Sequence, residues 1–412
     1  MRQSDYHLAF SSLPGWYKMS ELRYGRGKIR MNQTAFVRHY KDTAMEAYMR
    51  QGEERAHALG NRGPIKLDSG GRLTRDILDA YWQCGFYIFE GVVGASELRD
   101  IEADLFDILD RLPTHKGSLF DAKGRPALGA DCAAPTMFWS KPLGDPFGAT
   151  EAANGRHPVK MPEPMVAQNT PEEIVYLILG SLQFSDAALR VYGHPDLLRV
   201  AASINGDDFT PFNEAMFIKE PGLGASVAWH RDGVTHWDAP DWDQGTHGYN
   251  TMAQLYGCSA ANGVWVVPGS HKLNKVDIAG MVKVAGTPRL PDAIPMICKP
   301  GDVAICNRQA IHGSFANTSD KWRVTVNFGF HRRKSVLNVQ GGGLHNAPSI
   351  YDAERIRKRS EMIGYAIEAR KQRFPDEPPF EYAPHKQSGE TFEWTPQTKT
   401  KLKDYNLLDL SI

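Results

Sequence analysis

The chain has 412 residues, 42% hydrophobic and 23% charged, which is the composition of a folded globular protein long enough for a large core. Lys plus Arg and Asp plus Glu both number 48, and this balance excludes a general attraction to nucleic acid or to an anionic membrane. The five cysteines (Cys84, Cys132, Cys258, Cys298, Cys306) are odd in number and form no CxxC pair, no window approaches a membrane span, and MRQSDYHLAF lacks a secretory apolar segment, so the expectation is a reducing, cytoplasmic setting.

Residues 1–70 are aromatic-rich and irregular, then helix-prone over about 34–58, and read as an N-terminal extension packed on the core. LTRDILDAYWQ predicts a helix with Thr74 able to cap it and Gly85 ending it before the strand-like FYIFEG. Leu98, Ile101, Leu105, Ile108 and Leu112 recur every three or four residues, a helix with one apolar face and Ser96 as its expected N-cap. Residues 113–168 are rich in Gly, Pro, Ala and Asp without periodicity, the signature of a lid or binding loop. Phe138 and Trp139 within it read equally as a substrate entrance or as surface staples. A helical pattern is expected over 171–192, and short strands from about Val200 onward.

From Asn213 to Phe330 short strands alternate with turn signals: MFIKEPG, ASVAWHRD, NTMAQLYGC, GVWVVPGSH, GDVAICN, AIHGSF and WRVTVNFGF. The fold class expected is mainly β with flanking helices around a double-stranded β-helix, the jelly-roll or cupin-like core. A helix is expected over 351–372, with Ser349 and Asp352 resembling a capping box and Pro375, Pro378 and Pro379 beyond its end. The polar tail 380–412 is expected to wrap the surface. This divides the chain into an extension (1–70), a core domain with a long loop (71–340) and a C-terminal helix and tail (341–412).

Chemistry concentrates in Trp229-His230-Arg231-Asp232-Gly233. Residues at i and i+2 of a strand share a face, so His230 and Asp232 can address one point. His312, in IHGS, would complete the 2-His-1-carboxylate arrangement that holds non-haem Fe(II) with positions left open. A hairpin folded about Asn317 and Thr318 would set His312 opposite Arg323, with Ser314 on the face of His312 and Thr325 and Asn327 on that of Arg323. The guanidinium of Arg323 suits the far carboxylate of a chelating 2-oxo acid. Thr325 and Asn327 read as simple strand residues. Trp237 and Trp242, in VTHWDAPDWDQGTHGYN, read either as a substrate wall or as a packed aromatic loop.

HRD followed by IHGS, with Arg323 eleven residues beyond the second His, resembles the phytanoyl-CoA dioxygenase family of Fe(II)- and 2-oxoglutarate-dependent oxygenases. Asn262-Gly263 with Val267-Pro268-Gly269-Ser270-His271-Lys272, Gly301-Asp302 and the opening Gly85-Phe86 agree in order, and the likeness spans about 73–330. The resemblance implies an enzyme using iron, 2-oxoglutarate and O2, with His230, Asp232 and His312 as metal ligands. It implies that Ser314 and Arg323 hold the co-substrate, with Met216 as the matching inward position on its strand. Met252, Gln254 and Tyr256 alternate on a strand expected to face the cavity and, with Trp237, are the substrate-side candidates. Related halogenases lack the carboxylate, so Asp232 points to oxygenation: hydroxylation of an aliphatic C–H of a small organic molecule, a secondary metabolite or small polar compound, with release of succinate and CO2. Desaturation, epoxidation and cyclisation use the same chemistry, and a catalytically silent metal- and 2-oxoglutarate-binding sensor is the alternative from another class. A small-molecule substrate is the partner expected, without nucleic acid or membrane; oligomeric state is not legible.

Overall fold

The computed structural model describes residues 42–342 and 347–412. In chain order the elements used below are α1 (Thr43–Leu59), β1 (Arg62–Gly63), α2 (Arg75–Cys84), β2 (Phe86–Phe89), α3 (Ala95–Asp110), β3 (Met137–Ser140), β4 (Ile174–Leu179), α4 (Asp186–Tyr192), α5 (Pro195–Asn205), β5 (Thr210–Lys219), β6 (Val227–His230), β7 (Tyr249–Gln254), β8 (Trp265–Val266), α6 (Ile278–Ala285), β9 (Ile294–Pro295), β10 (Val303–Asn307), β11 (His312–Ser314), β12 (Arg323–His331) and α7 (Ala353–Arg373).

These strands form two sheets. The larger runs β1-β2-β10-β7-β12-β5-β4-β3, antiparallel except for β1 beside β2, and the smaller runs β6-β11-β8-β9. This is the jelly-roll core with flanking helices that the turn-separated strands lead one to expect. Strand parity decides what each face does. On β12, Val324, Val326, Phe328 and Phe330 enter the main apolar core, together with Met216 and Ile218 of β5. Helices α2 to α5 and α7 supply the other side of that core through residues such as Ile77, Leu105, Leu189, Leu198 and Ile363. The opposite parity, Ala215 and Phe217 of β5 and Arg323 and Asn327 of β12, looks into a cavity shared with the smaller sheet. α1 covers the far side of the smaller sheet, where Tyr48 stacks on Trp265 at 4.5 Å and donates to the Leu290 carbonyl at 2.8 Å.

Several local expectations change. The sequence expected as helical over 171–192 begins with IVYLIL, which is β4: all six residues are buried, and a strand covered on both faces reads as a continuous apolar run. Residues 195–205, which include the point near Val200 where strands are expected to begin, form α5. Pro195 opens it, His194 accepts from the Asp196 amide at 3.2 Å, and Leu197, Leu198, Ala201 and Ile204 follow a helical period. The N-cap of α3 is Gly94 rather than Ser96, and the Glu97 carboxylate accepts from the Gly94 amide at 3.2 Å. Asp352 caps α7 alone, accepting from the Arg355 amide, while Ser349 lies in a short separate strand. Residues 34–41 of the expected first helix lie outside the described residues; the rest of it is α1.

The tail does more than cover the surface. Leu402, Tyr405, Leu410 and Ile412 are buried, the Leu410 amide donates to the Phe212 carbonyl at 3.2 Å, and Arg359 and Asp409 form a buried ion pair at 2.9 Å. Its polar composition hides these few anchoring apolar residues. No helix among the described residues is long and apolar enough to cross a membrane.

Candidate active site

β6 and β11 are antiparallel neighbours in which His230 and His312 are direct cross-strand partners. Asp232 lies two residues past the end of β6, so its carboxylate returns between the two rings. His230 Nε2 is 3.3 Å from Asp232 Oδ1, and His312 Nε2 is 3.5 Å from Oδ2. One potential ligand atom from each of the three residues lies within 4.8 Å of the others. Each imidazole is fixed from behind: His230 Nδ1 meets the Ala228 carbonyl at 2.8 Å, and His312 Nδ1 meets the Ala310 carbonyl at 2.9 Å. A carbonyl only accepts, so Nδ1 carries the hydrogen and Nε2 offers its lone pair inward. Burial pushes His312 down to about 4, which keeps that ring neutral.

Two donors and one further cation face the Asp232 carboxylate. Asn250 Nδ2 donates to Oδ2 at 2.6 Å, Arg156 Nη1 lies 3.4 Å from Oδ1, and Arg308 Nε lies 3.9 Å from Oδ2. Burial opposes the charge, yet His312, His230 and Arg308 hold the carboxyl well below the usual carboxylate range. Two imidazoles and one carboxylate, converging and already oriented, are the donor set that fits a divalent iron.

The same cavity is lined by the three residues and by Arg323, Ser314 and Asn327. Arg323 is buried, and its own contacts are neutral: Nε donates to Thr325 Oγ1 at 3.0 Å and Nη1 to the Asn262 carbonyl at 3.4 Å. Among the described residues no carboxylate pairs with it, so a dicarboxylate that chelates metal at one end finds a counter-charge for the other.

The two halves of the site arrive by a route the sequence did not suggest. His312 and Arg323 are not partners in one hairpin: β11 belongs to the smaller sheet and β12 to the larger, and residues 315–322 cross between them. Arg323 is paired instead with Lys219. Parity also corrects Met216, which is fully buried in the apolar core, whereas its neighbours Ala215 and Phe217 face the cavity. A shift of one residue along a strand exchanges the faces. Of the substrate-side candidates, Met252 lines the cavity. Gln254, farther along β7, accepts from Thr325 Oγ1 at 2.9 Å, and Tyr256 lies past the strand end with its hydroxyl 2.8 Å from Glu102. Trp237 stands outside the cavity in a shallow hollow with His236 and Val339, tilted against His247 at 4.4 Å. Phe138 packs with Tyr176, Leu177 and Phe147 rather than lining an entrance.

Residues with no sequence signal complete the site. The long loop places Arg156 on the Asp232 backbone carbonyl at 2.6 Å, and His157 stacks on His230 at 4.1 Å. Burial, then the neighbouring His230, keeps His157 far below its ordinary value. The turn before Arg156 holds Ala153 and Asn154 in the left-handed region, a conformation retained where the surroundings require it. Arg308, fully buried, lies over Phe212 at 3.5 Å and bonds the His247 carbonyl at 3.0 Å. Asn250 was detectable only by the alternation that puts it on the face of Met252.

The family model for phytanoyl-CoA dioxygenase (PhyH) matches residues 81–325, more than half of the chain. The chain belongs to the phytanoyl-CoA dioxygenase family. Its family is one of non-haem iron, 2-oxoglutarate-dependent dioxygenases. Among solved structures, EvdMO1 is similar at 22% identity and TM-score 0.41, over 61% of this chain and 48% of that one. AviO1 from Streptomyces viridochromogenes Tue57 is similar at 20% identity and TM-score 0.42, over 65% and 96% of the two chains. EctD from S. alaskensis, solved with 2-oxoglutarate and 5-hydroxyectoine, is similar at 17% identity and TM-score 0.45, over 66% and 82%. This family member thus spans about half the length of EvdMO1, at 48%. No curated protein sequence matches it.

Proposed function

We propose that this protein hydroxylates an aliphatic C–H bond of a small organic molecule, with His230, Asp232 and His312 holding the iron and Arg323 and Ser314 holding the far carboxylate of 2-oxoglutarate. The supporting observation is the convergence of the three donors, already oriented, on a cavity that also contains an unpaired buried arginine. Bound iron supplies, with O2, the oxidation that turns 2-oxoglutarate into succinate and CO2 while one oxygen atom enters the substrate.

The protein's part is positional. The Nδ1–H bonds to Ala228 and Ala310 keep both imidazoles turned inward, and Asn250 and Arg156 hold the carboxylate between them. Burial of the triad in an apolar surround of Phe147, Leu177, Phe212 and Val234 excludes water from the reacting centre. These apolar walls suit a hydrocarbon portion, and Asn154, Arg156 and Asn213 offer donors for a polar end, which is the chemistry of a small polar compound or secondary metabolite. We further assign residues 71–340 as the oxygenase domain, with 341–412 as an appended helix and tail that contributes Ser411 to the cavity wall.

Fe(II), 2-oxoglutarate and O2 supplied to the purified protein are expected to yield succinate even without substrate, through uncoupled turnover. Absence of succinate under those conditions, with the protein folded and iron bound, refutes the proposal. With a substrate in hand, mass spectrometry separates gain of an oxygen atom from loss of hydrogen, and so hydroxylation from desaturation or cyclisation.

A further inference from the structure

Lys219 and Arg323 face each other across β5 and β12 as direct register partners on the cavity-facing parity, and both are buried. Like charges directly opposite on a sheet repel, and burial removes the water that would screen them. Among the described residues neither forms an ion pair; Arg323 donates to the Thr325 hydroxyl and the Asn262 carbonyl. Lys219 Nζ donates to Ser314 Oγ at 2.8 Å and to the Phe315 carbonyl at 2.7 Å, both neutral acceptors. Asp145 also acts on Lys219, but its oxygens accept from the Gly148 amide at 2.9 Å and the Met161 amide at 2.8 Å. Two adjacent buried basic side chains with no carboxylate in contact describe a site that an anion from outside would complete. Ser314 lines the cavity while Lys219 stands behind it. Because Ser314 Oγ accepts from the ammonium, its own hydrogen is free to donate into the cavity.

We propose that Lys219 is a second cationic element of the co-substrate site, acting through Ser314 on the far carboxylate of the 2-oxo acid; this rests on the reading of Arg323 and Ser314 as co-substrate residues. Lys219 is then a positioning residue: it fixes the serine hydroxyl as a donor and adds positive potential where the carboxylate arrives. Burial and the Arg323 charge hold Lys219 well below the ordinary lysine value, so the empty site resists a full second charge that a bound carboxylate would restore.

The test is an anaerobic titration of the Fe(II)-loaded protein with 2-oxoglutarate and with 2-oxopentanoate, which has the same chain length but no far carboxylate. Binding is followed by visible absorption of the chelate and, in metal-free protein, by calorimetry with 2-oxoglutarate. Lys219→Met is expected to weaken 2-oxoglutarate by about tenfold or more while 2-oxopentanoate stays within about twofold, and Lys219→Arg is expected to recover most of the loss. Metal-free Lys219→Met is expected to melt no lower than the wild type, since a buried like charge has been removed. Equal 2-oxoglutarate affinity in wild type and Lys219→Met, or an equal loss for both acids, overturns the proposal while leaving Arg323 its role. Should the Met variant not fold, Lys219→Gln, which keeps a donor for Ser314 without charge, takes its place with the same two criteria. A wild-type protein that binds 2-oxopentanoate as well as 2-oxoglutarate removes the underlying reading together with the proposal.

Discussion

Replacing Asp232 by Ala removes a proposed ligand and a counter-charge together, and the two effects can be measured separately. Arg156 Nη1 at 3.4 Å and Arg308 Nε at 3.9 Å face the carboxylate. At an effective permittivity of about 20, each attraction is about 4–5 kcal/mol before desolvation is counted. Arg308 is fully buried, whereas the Arg156 side chain keeps 18% exposure, so loss of the anion falls mainly on Arg308. Leaving such a charge uncompensated costs about 3–5 kcal/mol, and we expect metal-free Asp232→Ala to lose about 3 kcal/mol in chemical denaturation. Asp232→Asn should lose about half of that, because an amide oxygen still accepts from one neighbour. Added metal at about a hundred times its dissociation constant should stabilise the wild type by about 2.7 kcal/mol and the variant not at all. A retained metal increment would exclude Asp232 as a ligand. A metal-free stability within about 1 kcal/mol of wild type would refute the electrostatic account of Arg308.

Three further predictions follow from the packing. Asn250→Ala removes the 2.6 Å bond to Asp232 Oδ2 and should weaken metal affinity by about 10–100-fold in competition with a chelator, with the fold retained. Gly52→Ala, normally stabilising in a helix, should destabilise by about 1–3 kcal/mol, seen as a lower melting temperature, because the new methyl would meet the Trp265 ring. Its Cβ would lie 2.6 Å from Cζ3 of that ring and 3.1 Å from Pro295 Cδ. Burial pushes Glu214 from 4.5 up to about 7, against bonds from Tyr405 and Ser181. The native state therefore keeps a proton that the unfolded chain releases, so this contribution is full below the unfolded value of 4.5 and is lost as pH rises through about 7. Glu214→Gln should flatten the fall in stability across that window by about 3 kcal/mol; parallel wild-type and variant curves would refute the assignment.

The convergence of His230, Asp232 and His312 was legible because its geometry is local: an i, i+2 pair at a strand end and a histidine in a short motif leave few ways to meet. The jelly-roll core was legible through turn signals and short apolar runs. Arg323 was legible as a basic residue of the site, and it lines the cavity, but its strand partner was not legible. The hairpin rule assumes that consecutive strands pair, and here the chain changes sheets between Ser314 and Arg323. Met216 failed for a related reason, since parity on β5 is set by which sheet faces which side. IVYLIL and 195–205 were misread because buried strands and buried helices are both continuously apolar, and period alone does not separate them over so few residues. Arg156, His157 and Lys219 carried no motif at all. Their roles exist only once the loop and the opposite strand are placed.

Those unmotivated residues indicate how selectivity and metal binding are joined in this protein. The candidate iron ligands and Ser314 come from the smaller sheet or the turn at its edge, and Arg323 from the larger one, so the proposed chemistry rests on how the two sheets meet. The remaining walls come from segments without period: Phe147, Asn154, Arg156 and His157 from the long loop, and Ser411 from the tail. Segments of this kind can change sequence without breaking a sheet, which is where variation in substrate is accommodated. This loop, however, is not free of the metal centre. Arg156 bonds Asp232 and His157 stacks on His230, so two of the three candidate ligands are braced by the segment that also walls the substrate space. A substrate that displaces the loop must then disturb the ligands' support, and one that fits beside it leaves them in register. Selectivity in this arrangement comes from shape and also from whether the loop can stay on its two ligands once the cavity is filled.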